Sequence, residues 1–233
     1  MSQSYVCPHG GPNCPGWYVL NVPFGHPDFG RSFLCECASR RKAERLKWQL
    51  PPKIATKRFD CFVVLNENRI AFDAAVTYAR VDPPRGWLTI TGGVGNGKTH
   101  LAAAIANALL DRGVPVMLFA VPALLDEWRS TFAPGSDASF DDRFEAIKQV
   151  EVLVLDDLGA EEATLWAQDK LYQVFEHRYS YQLPLVVTSN VQWTKRPMRI
   201  RSRLSDTELG KVVINTAHDY RNAEGKRAYQ DAR

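Results

Sequence analysis

No apolar run in this 233-residue chain approaches the roughly 20 residues that a helix needs to cross a bilayer, which excludes a membrane-spanning helix and a membrane partner. The first residues, Met1 to Cys7, lack a basic segment followed by an apolar core, so no secretory signal is legible and a cytoplasmic location is expected. Cysteine is scarce, with five in all. Disulfides are rare in the cytosol, so these five read as metal ligands or buried thiols. Charge of neither sign dominates: 29 basic residues face 26 acidic ones, for a net charge of +3. There is no internal repeat and no low-complexity tract. With 45% hydrophobic and 24% charged residues, the composition is that of an ordinary globular protein. The length suits one full domain with a small appendage.

One stretch carries a specific chemistry. Gly92-Gly93-Val94-Gly95-Asn96-Gly97-Lys98-Thr99 reads G-x-x-x-x-G-K-T, a phosphate loop. Phosphates must be wrapped at close range by backbone N–H groups, and glycine brings no side chain between backbone and ligand. Lys98 adds a point charge for the outer phosphates, and the Thr99 hydroxyl falls where a magnesium ion would sit. The flanks agree with the motif. Trp87 to Thr91 is a β-branched and aromatic run that predicts a strand, and Leu101, Ile105, Ala108 and Leu109 recur at helical spacing. Gly113 and Pro115 stop that helix. Its N-terminus would point a partial positive charge at the phosphates.

Four further apolar runs predict strands: Val116 to Ala120, Val152 to Asp157, Leu185 to Asn190 and Lys211 to Asn215. The second of these ends in Asp156-Asp157, the Walker B pattern, with Asp156 assigned to the metal and Asp157 to polarising an attacking water. The third ends in Asn190, which could hold that water or sense the outer phosphate. A helix with Leu124, Leu125 and Trp128 on one face follows Pro122, and another spans Phe140 to Val150. Leu171, Val174, Phe175 and Arg178 fall within a helix further on. Arg199, Arg201 and Arg203 lie on a shorter one, with Arg199 and Arg203 sharing a face. Residues 59–82 carry an amphipathic pattern through Ile70, Ala74, Ala75, Tyr78 and Ala79. Residues Thr216 to Arg233 are polar and read as a frayed tail.

The first 38 residues differ in kind. They are rich in glycine and proline and hold Cys7, Cys14, Cys35 and Cys37, two pairs across a gap of twenty residues. A segment this small buries little core, so zinc held by these four cysteines would supply its folding energy, with His9 and His26 as substitute ligands. Cys61 lies in an apolar run and reads as a buried thiol. Between Ser39 and Arg58 eight basic residues are opposed only by Glu44. This stretch, with Trp48 inside it, reads either as a nucleic-acid or protein contact or as a solvated linker.

The chain resembles the DnaC/DnaI/IstB-like family of AAA+ ATPases, and within it the replicative helicase loaders. Residues 95–105 are similar to that family's phosphate loop and first helix, 153–161 to its Walker B and 187–190 to its sensor 1. Residues 199–204 resemble the initiator-type box VII, whose arginine finger would be Arg203. The resemblance covers about 59–221. It implies an α/β AAA+ core with a five-stranded parallel sheet, few residues for a helical lid, and a helix within 121–149 lining a channel for single-stranded DNA. The N-terminal segment 1–38 would grip a replicative helicase, 39–58 would be a basic linker, and 222–233 a polar tail. The nucleotide-binding set is Gly92, Gly93, Val94, Gly95, Asn96, Gly97, Lys98, Thr99 and His100. Lys98, Asp157, Asn190 and Arg203 are the catalytic candidates, with Thr99 and Asp156 as magnesium ligands. Two departures stand out. Asp157 occupies a position where many AAA+ proteins carry Glu, which implies slow, DNA- or partner-stimulated ATP hydrolysis, or binding without turnover. The gap between Cys7 and Cys14 is longer than the family's. The implied function is an ATP-driven, self-associating helicase loader in DNA replication; the alternative is a transposition helper ATPase acting on duplex DNA with a transposase.

Overall fold

The computed structural model describes residues 17–19, 22–24, 26, 29, 32–130, 140–159, 165–191 and 198–222. A short antiparallel pair, β1 (Trp17–Val19) and β2 (Ser32–Leu34), sets Trp17 opposite Leu34. Two helices follow, α1 (Glu36–Trp48) and α2 (Pro52–Ala55), then α3 (Asn66–Arg80). The core alternates strands and helices: β3 (Trp87–Gly92), α4 (Lys98–Asp111), β4 (Val116–Ala120), α5 (Val121–Ser130), α6 (Phe140–Gln149), β5 (Val152–Asp156), α7 (Leu165–Ser180), β6 (Leu185–Ser189), α8 (Met198–Leu204) and β7 (Gly210–Asn215).

Those five strands form one parallel sheet in the order β4-β5-β6-β3-β7. Parallel pairing needs a crossover between strands, and the helices supplying it cover both faces. Every residue of β5 and β6 is therefore buried. Side chains alternate between the faces along each strand. Val152, Val154 and Val186 meet α3 and α4, where Ala71, Ala75, Leu101, Ile105 and Leu109 pack. Leu153, Leu155, Leu185 and Val187 meet the other layer, built by Leu124, Leu125 and Trp128 of α5, Phe144 of α6, Leu171 and Phe175 of α7 and Ile200 and Leu204 of α8. The five predicted strands and the helices read from their periodicity stand where the sequence put them.

Four expectations change. Residues 39–58 are not a loose linker. Ala43 is fully buried in the α3–α4 layer and Leu46 and Leu50 pack against it, so α1 is part of the core. Ala75, Tyr78 and Ala79 of α3 are buried as the pattern put them, but Ile70 is 66% exposed and Ala71 takes the buried position at that end of the helix. Cys61 is exposed, because its neighbour Phe62 turns inward to stack on Phe72. The start of the predicted tail is held to the core: Thr216 donates from backbone and hydroxyl to the Glu67 carbonyl, 3.3 and 3.1 Å away. Of the four proposed zinc ligands, Cys7 and Cys14 lie outside the described residues, as does His9. Cys35 ends the strand pair and opens α1, with its sulfur 2.9 Å from that of Cys37. Among the described residues no cluster of three metal-ligating side chains occurs. No helix among them is long and apolar enough to cross a membrane.

Candidate functional site: the phosphate loop and the acids beside it

The loop between β3 and α4 is held from both sides. Gly92 has φ 145°, and a Cβ there would fall 2.1 Å from the Asn215 carbonyl oxygen at the end of β7. Only glycine permits that approach. Asn96 and Asn215, both fully buried, lock the same contact reciprocally: Asn96 Nδ2 donates to the Asn215 carbonyl at 2.8 Å, and Asn215 Nδ2 donates to the Asn96 carbonyl at 2.9 Å. Each such bond contributes about 1 kcal/mol net, and an unpaired buried amide would cost more. Lys98, 5% exposed, donates to Asn96 Oδ1 at 3.1 Å and to the Gly93 carbonyl. Burial pulls its ammonium down to about 8, against the opposing pull of Asp157 and Asp156. Gly93 has open space where a side chain would stand and Val94 is 58% exposed, so this part of the loop faces solvent, while Gly95 is covered by Asp219 and its carbonyl accepts from the Tyr220 N–H at 3.1 Å.

The acids stand beside it. β6 lies between β3 and β5, so the ends of all three strands meet at one edge of the sheet. Asp156 is nearly buried, and that burial raises its carboxyl against hydrogen bonds from Thr188 and Thr99. Thr188 Oγ1 donates to Asp156 Oδ1 at 2.5 Å and accepts from the Asp157 backbone N–H at 2.9 Å. Asp157 sits at φ 61°, a left-handed conformation that non-glycine residues rarely adopt and that recurs at working sites. That turn delivers its carboxylate to Asn190, whose Nδ2 donates at 2.5 Å. Ser189 fastens the next turn through its bond to the Leu158 carbonyl at 2.6 Å. Asp156 and Thr99 offer hard oxygen donors in contact with one another, and this donor set fits magnesium.

Lys98, Thr99, Asp156, Asp157 and Asn190 therefore converge. His100 turns away: its Nε2 lies 2.8 Å from the Arg58 carbonyl and its ring packs edge-on to Phe62. Arg203 lies on α8 and makes a two-pronged contact with Glu176 of α7, Nε to Oε2 at 3.1 Å and Nη2 to Oε1 at 3.3 Å. Its guanidinium also covers the Tyr179 ring at 4.4 Å. Sequence reasoning missed Thr188, Asn215 and Glu176. Asn215 carried a signal, since it ends a strand as Asn190 does; Thr188 and Glu176 carried none outside the fold.

This strand order, with a phosphate loop after β3, paired acids after β5 and a polar residue after β6, defines a nucleotide-binding protein of the AAA+ P-loop class. The family model of IstB-like ATP binding proteins matches residues 61–215, and the chain belongs to that family. It is 30% identical over 169 residues to the replicative helicase loader DnaI of Bacillus subtilis (strain 168), covering 66% of this chain and 53% of that one. A crystal structure of DnaI superposes with a TM-score of 0.59 at 28% identity, over 73% of this chain and 93% of the other. The AMPPCP-bound DnaA from Aquifex aeolicus superposes with a TM-score of 0.62 at 22% identity, over 76% and 52%, a likeness of fold alone. The chain spans about half the length of the curated relatives it matches.

Proposed function

We propose that this protein binds ATP with magnesium at the loop, hydrolyses it slowly, and uses the cycle to load a replicative helicase onto single-stranded DNA. One observation carries the catalytic part: Thr99, Asp156 and Thr188 form one hydrogen-bonded set, and Asp157 and Asn190 another, at the strand ends beside Lys98. Lys98 and the backbone of residues 92–100 hold the phosphates, and His100 contributes its backbone N–H. Thr99 and Asp156 hold the metal, which when bound offsets charge on the phosphate oxygens. Asp157 accepts a proton from the attacking water, and Asn190 orients both. Arg203 reaches the site of a neighbouring copy in the oligomer.

The match to a helicase loader supports the replication reading. The exposed basic residues Lys42 and Arg45, neighbours at i, i+3 on α1, supply a face for phosphate backbone. Zinc at Cys7, Cys14, Cys35 and Cys37 is supported by the close Cys35 and Cys37 sulfurs, and metal analysis of the purified protein with each cysteine replaced in turn tests it. Phosphate release from Mg-ATP, with and without single-stranded DNA, tests the whole reading. Release above background that Lys98→Ala abolishes is expected; background release in both conditions leaves a nucleotide-bound scaffold. Capture of a replicative helicase by the full chain, against capture of a transposase, separates the loader from a transposition helper.

A further inference from the structure

The two edges of the parallel sheet are built differently. β7 carries the charged Lys211 within its run, and Thr216 at its end is tied to the Glu67 carbonyl. Charge on an edge strand is one way a fold keeps other chains from pairing with it. β4, at the opposite edge, reads Val-Met-Leu-Phe-Ala and holds neither a charge nor a proline.

Pairing with β5 uses one side of β4 alone. The Pro115 carbonyl accepts from the Val152 N–H at 3.1 Å. Backbone groups alternate in direction along a strand, so Met117 and Phe119 also face β5, and the N–H and carbonyl of Leu118 face away from the sheet. Among the described residues nothing bonds to either group. Leu118 is nevertheless half-buried, because this edge is the floor of a groove of about 300 Å³. Leu46 and Leu50 form one wall, on the side to which Leu118 packs. Ala146 and Ile147 of α6 form the other, on the side of Met117 and Phe119.

A half-buried amide with both groups open gains when another backbone reaches it. A row of outward amides at strand spacing is matched by extended chain. Four consecutive residues, Val116 to Phe119, line the groove, which sets the length of the guest at about four residues. Apolar side chains stand on both walls, so the guest must be apolar at successive positions rather than alternate ones. The rim is cationic. Arg45 stands one turn before Gln49 of the wall, and Lys53 follows Pro51 by two residues; both are exposed, and neither meets a carboxylate among the described residues. Arg143, on the other wall, is matched by Glu127. The unmatched charges therefore favour acids on either side of the apolar run.

We propose that the open edge of β4 is a docking site for an extended segment of a partner protein, a short apolar run flanked by acidic residues, which adds to the sheet as a further strand. The edge lies three strands from β3 and its phosphate loop, so the proposal stands apart from the nucleotide reading.

The probe is a synthetic peptide of four valines flanked by paired aspartates, titrated into the full chain while amide exchange is followed residue by residue. Binding should slow exchange of the Leu118 amide about tenfold and change Met117, already paired to β5, little. N-methylation of alternate peptide bonds should abolish binding in one register and spare it in the register shifted by one residue, since one side of the guest faces β4. Ala146→Trp fills the groove from an exposed position on α6; it should weaken the peptide about tenfold and leave melting and ATP affinity at wild-type values. Equal binding of both methylated forms, or binding that leaves the Leu118 amide exchanging freely, would overturn the proposal by removing the strand pairing. No binding at millimolar peptide would overturn it as well. An oligothymidylate that protects Leu118 as the peptide should would overturn it by giving the groove to nucleic acid.

Discussion

Lys98 shows what the site costs the fold. Its ammonium is buried with two neutral acceptors, and burial draws it from an ordinary value of 10.5 to about 8. Between those two pH values the unfolded chain keeps a proton that the folded protein has lost, so stability rises with pH across that window. Below about 8 the folded protein bears the buried charge in full. Lys98→Met removes it. Without nucleotide at pH 7, this variant should unfold at higher urea than the wild type, and the gap should narrow towards pH 10. ATP should raise the wild type's midpoint and leave the variant's unmoved. A variant less stable than the wild type at pH 7 would refute the argument. Arg178 makes the opposite case. It is fully buried, with burial pulling its guanidinium down to about 10, and it donates to the carbonyls of Lys148, Val150, Glu151 and Pro184 at 3.0, 2.9, 3.2 and 2.5 Å. These carbonyls end α6 and flank the starts of β5 and β6. Arg178→Met should cost on the order of 3 kcal/mol in urea unfolding, because it strands several buried acceptors at once. A loss below about 1 kcal/mol would mean that water replaces the guanidinium.

Helix α4 joins two jobs. Its first turn closes the phosphate loop, and a polar stripe further along, His100, Asn107 and Asp111, holds the basic segment. Asn107 Nδ2 donates to the carbonyls of Ile54 and Lys57 at 3.0 and 2.8 Å. Asp111 takes Lys47 at 2.5 Å and also Arg58; burial works to raise its carboxyl, but these two hydrogen bonds prevail and lower it. Its pairing therefore holds above the ordinary carboxylate range and is lost as pH falls through the lowered value. Asn107→Ala should speed hydrogen exchange across residues 52–58 by roughly tenfold while leaving β5 and β6 protected; unchanged exchange there would mean that apolar packing of Leu46 and Leu50 suffices. The sequence announced α4 and its loop because glycine spacing and apolar period are local signals. It could not announce the stripe, since the partners of Asn107 are backbone carbonyls about fifty residues earlier. The basic run looked like a linker for the same reason: two of its charges face one acid on α4, and that acid is named only by the fold. Asp156, Asp157 and Asn190 were legible because each ends an apolar run. The contact of Tyr220 with the Gly95 carbonyl was not, because a polar tail carries no period to read.

At the scale of the proposed assembly, the arginine assigned to a neighbour's site is already occupied. For Arg203 to serve a neighbouring copy's nucleotide it must leave Glu176, which holds it by two nitrogen–oxygen contacts and is lowered by that same pairing. Both side chains are about one-third exposed, so the pair is worth little as stability and much as a geometric restraint. It fixes the guanidinium over Tyr179, on α7, while the copy is alone. In the proposed assembly a neighbour bringing ATP would offer the arginine a triphosphate in place of one carboxylate, and the exchange would favour assembly only when nucleotide is present. Glu176→Gln should therefore free the arginine: turnover should begin at lower protein concentration, with the maximal rate unchanged. Arg203→Ala should abolish the dependence of turnover on protein concentration but leave ATP binding intact. The double variant should behave as Arg203→Ala alone, because Glu176 acts only through the residue it holds. If Glu176→Gln instead lowers turnover in step with Arg203→Ala, the pair is a positioning device that aims Arg203 at the neighbour, and the contact persists in the assembled state.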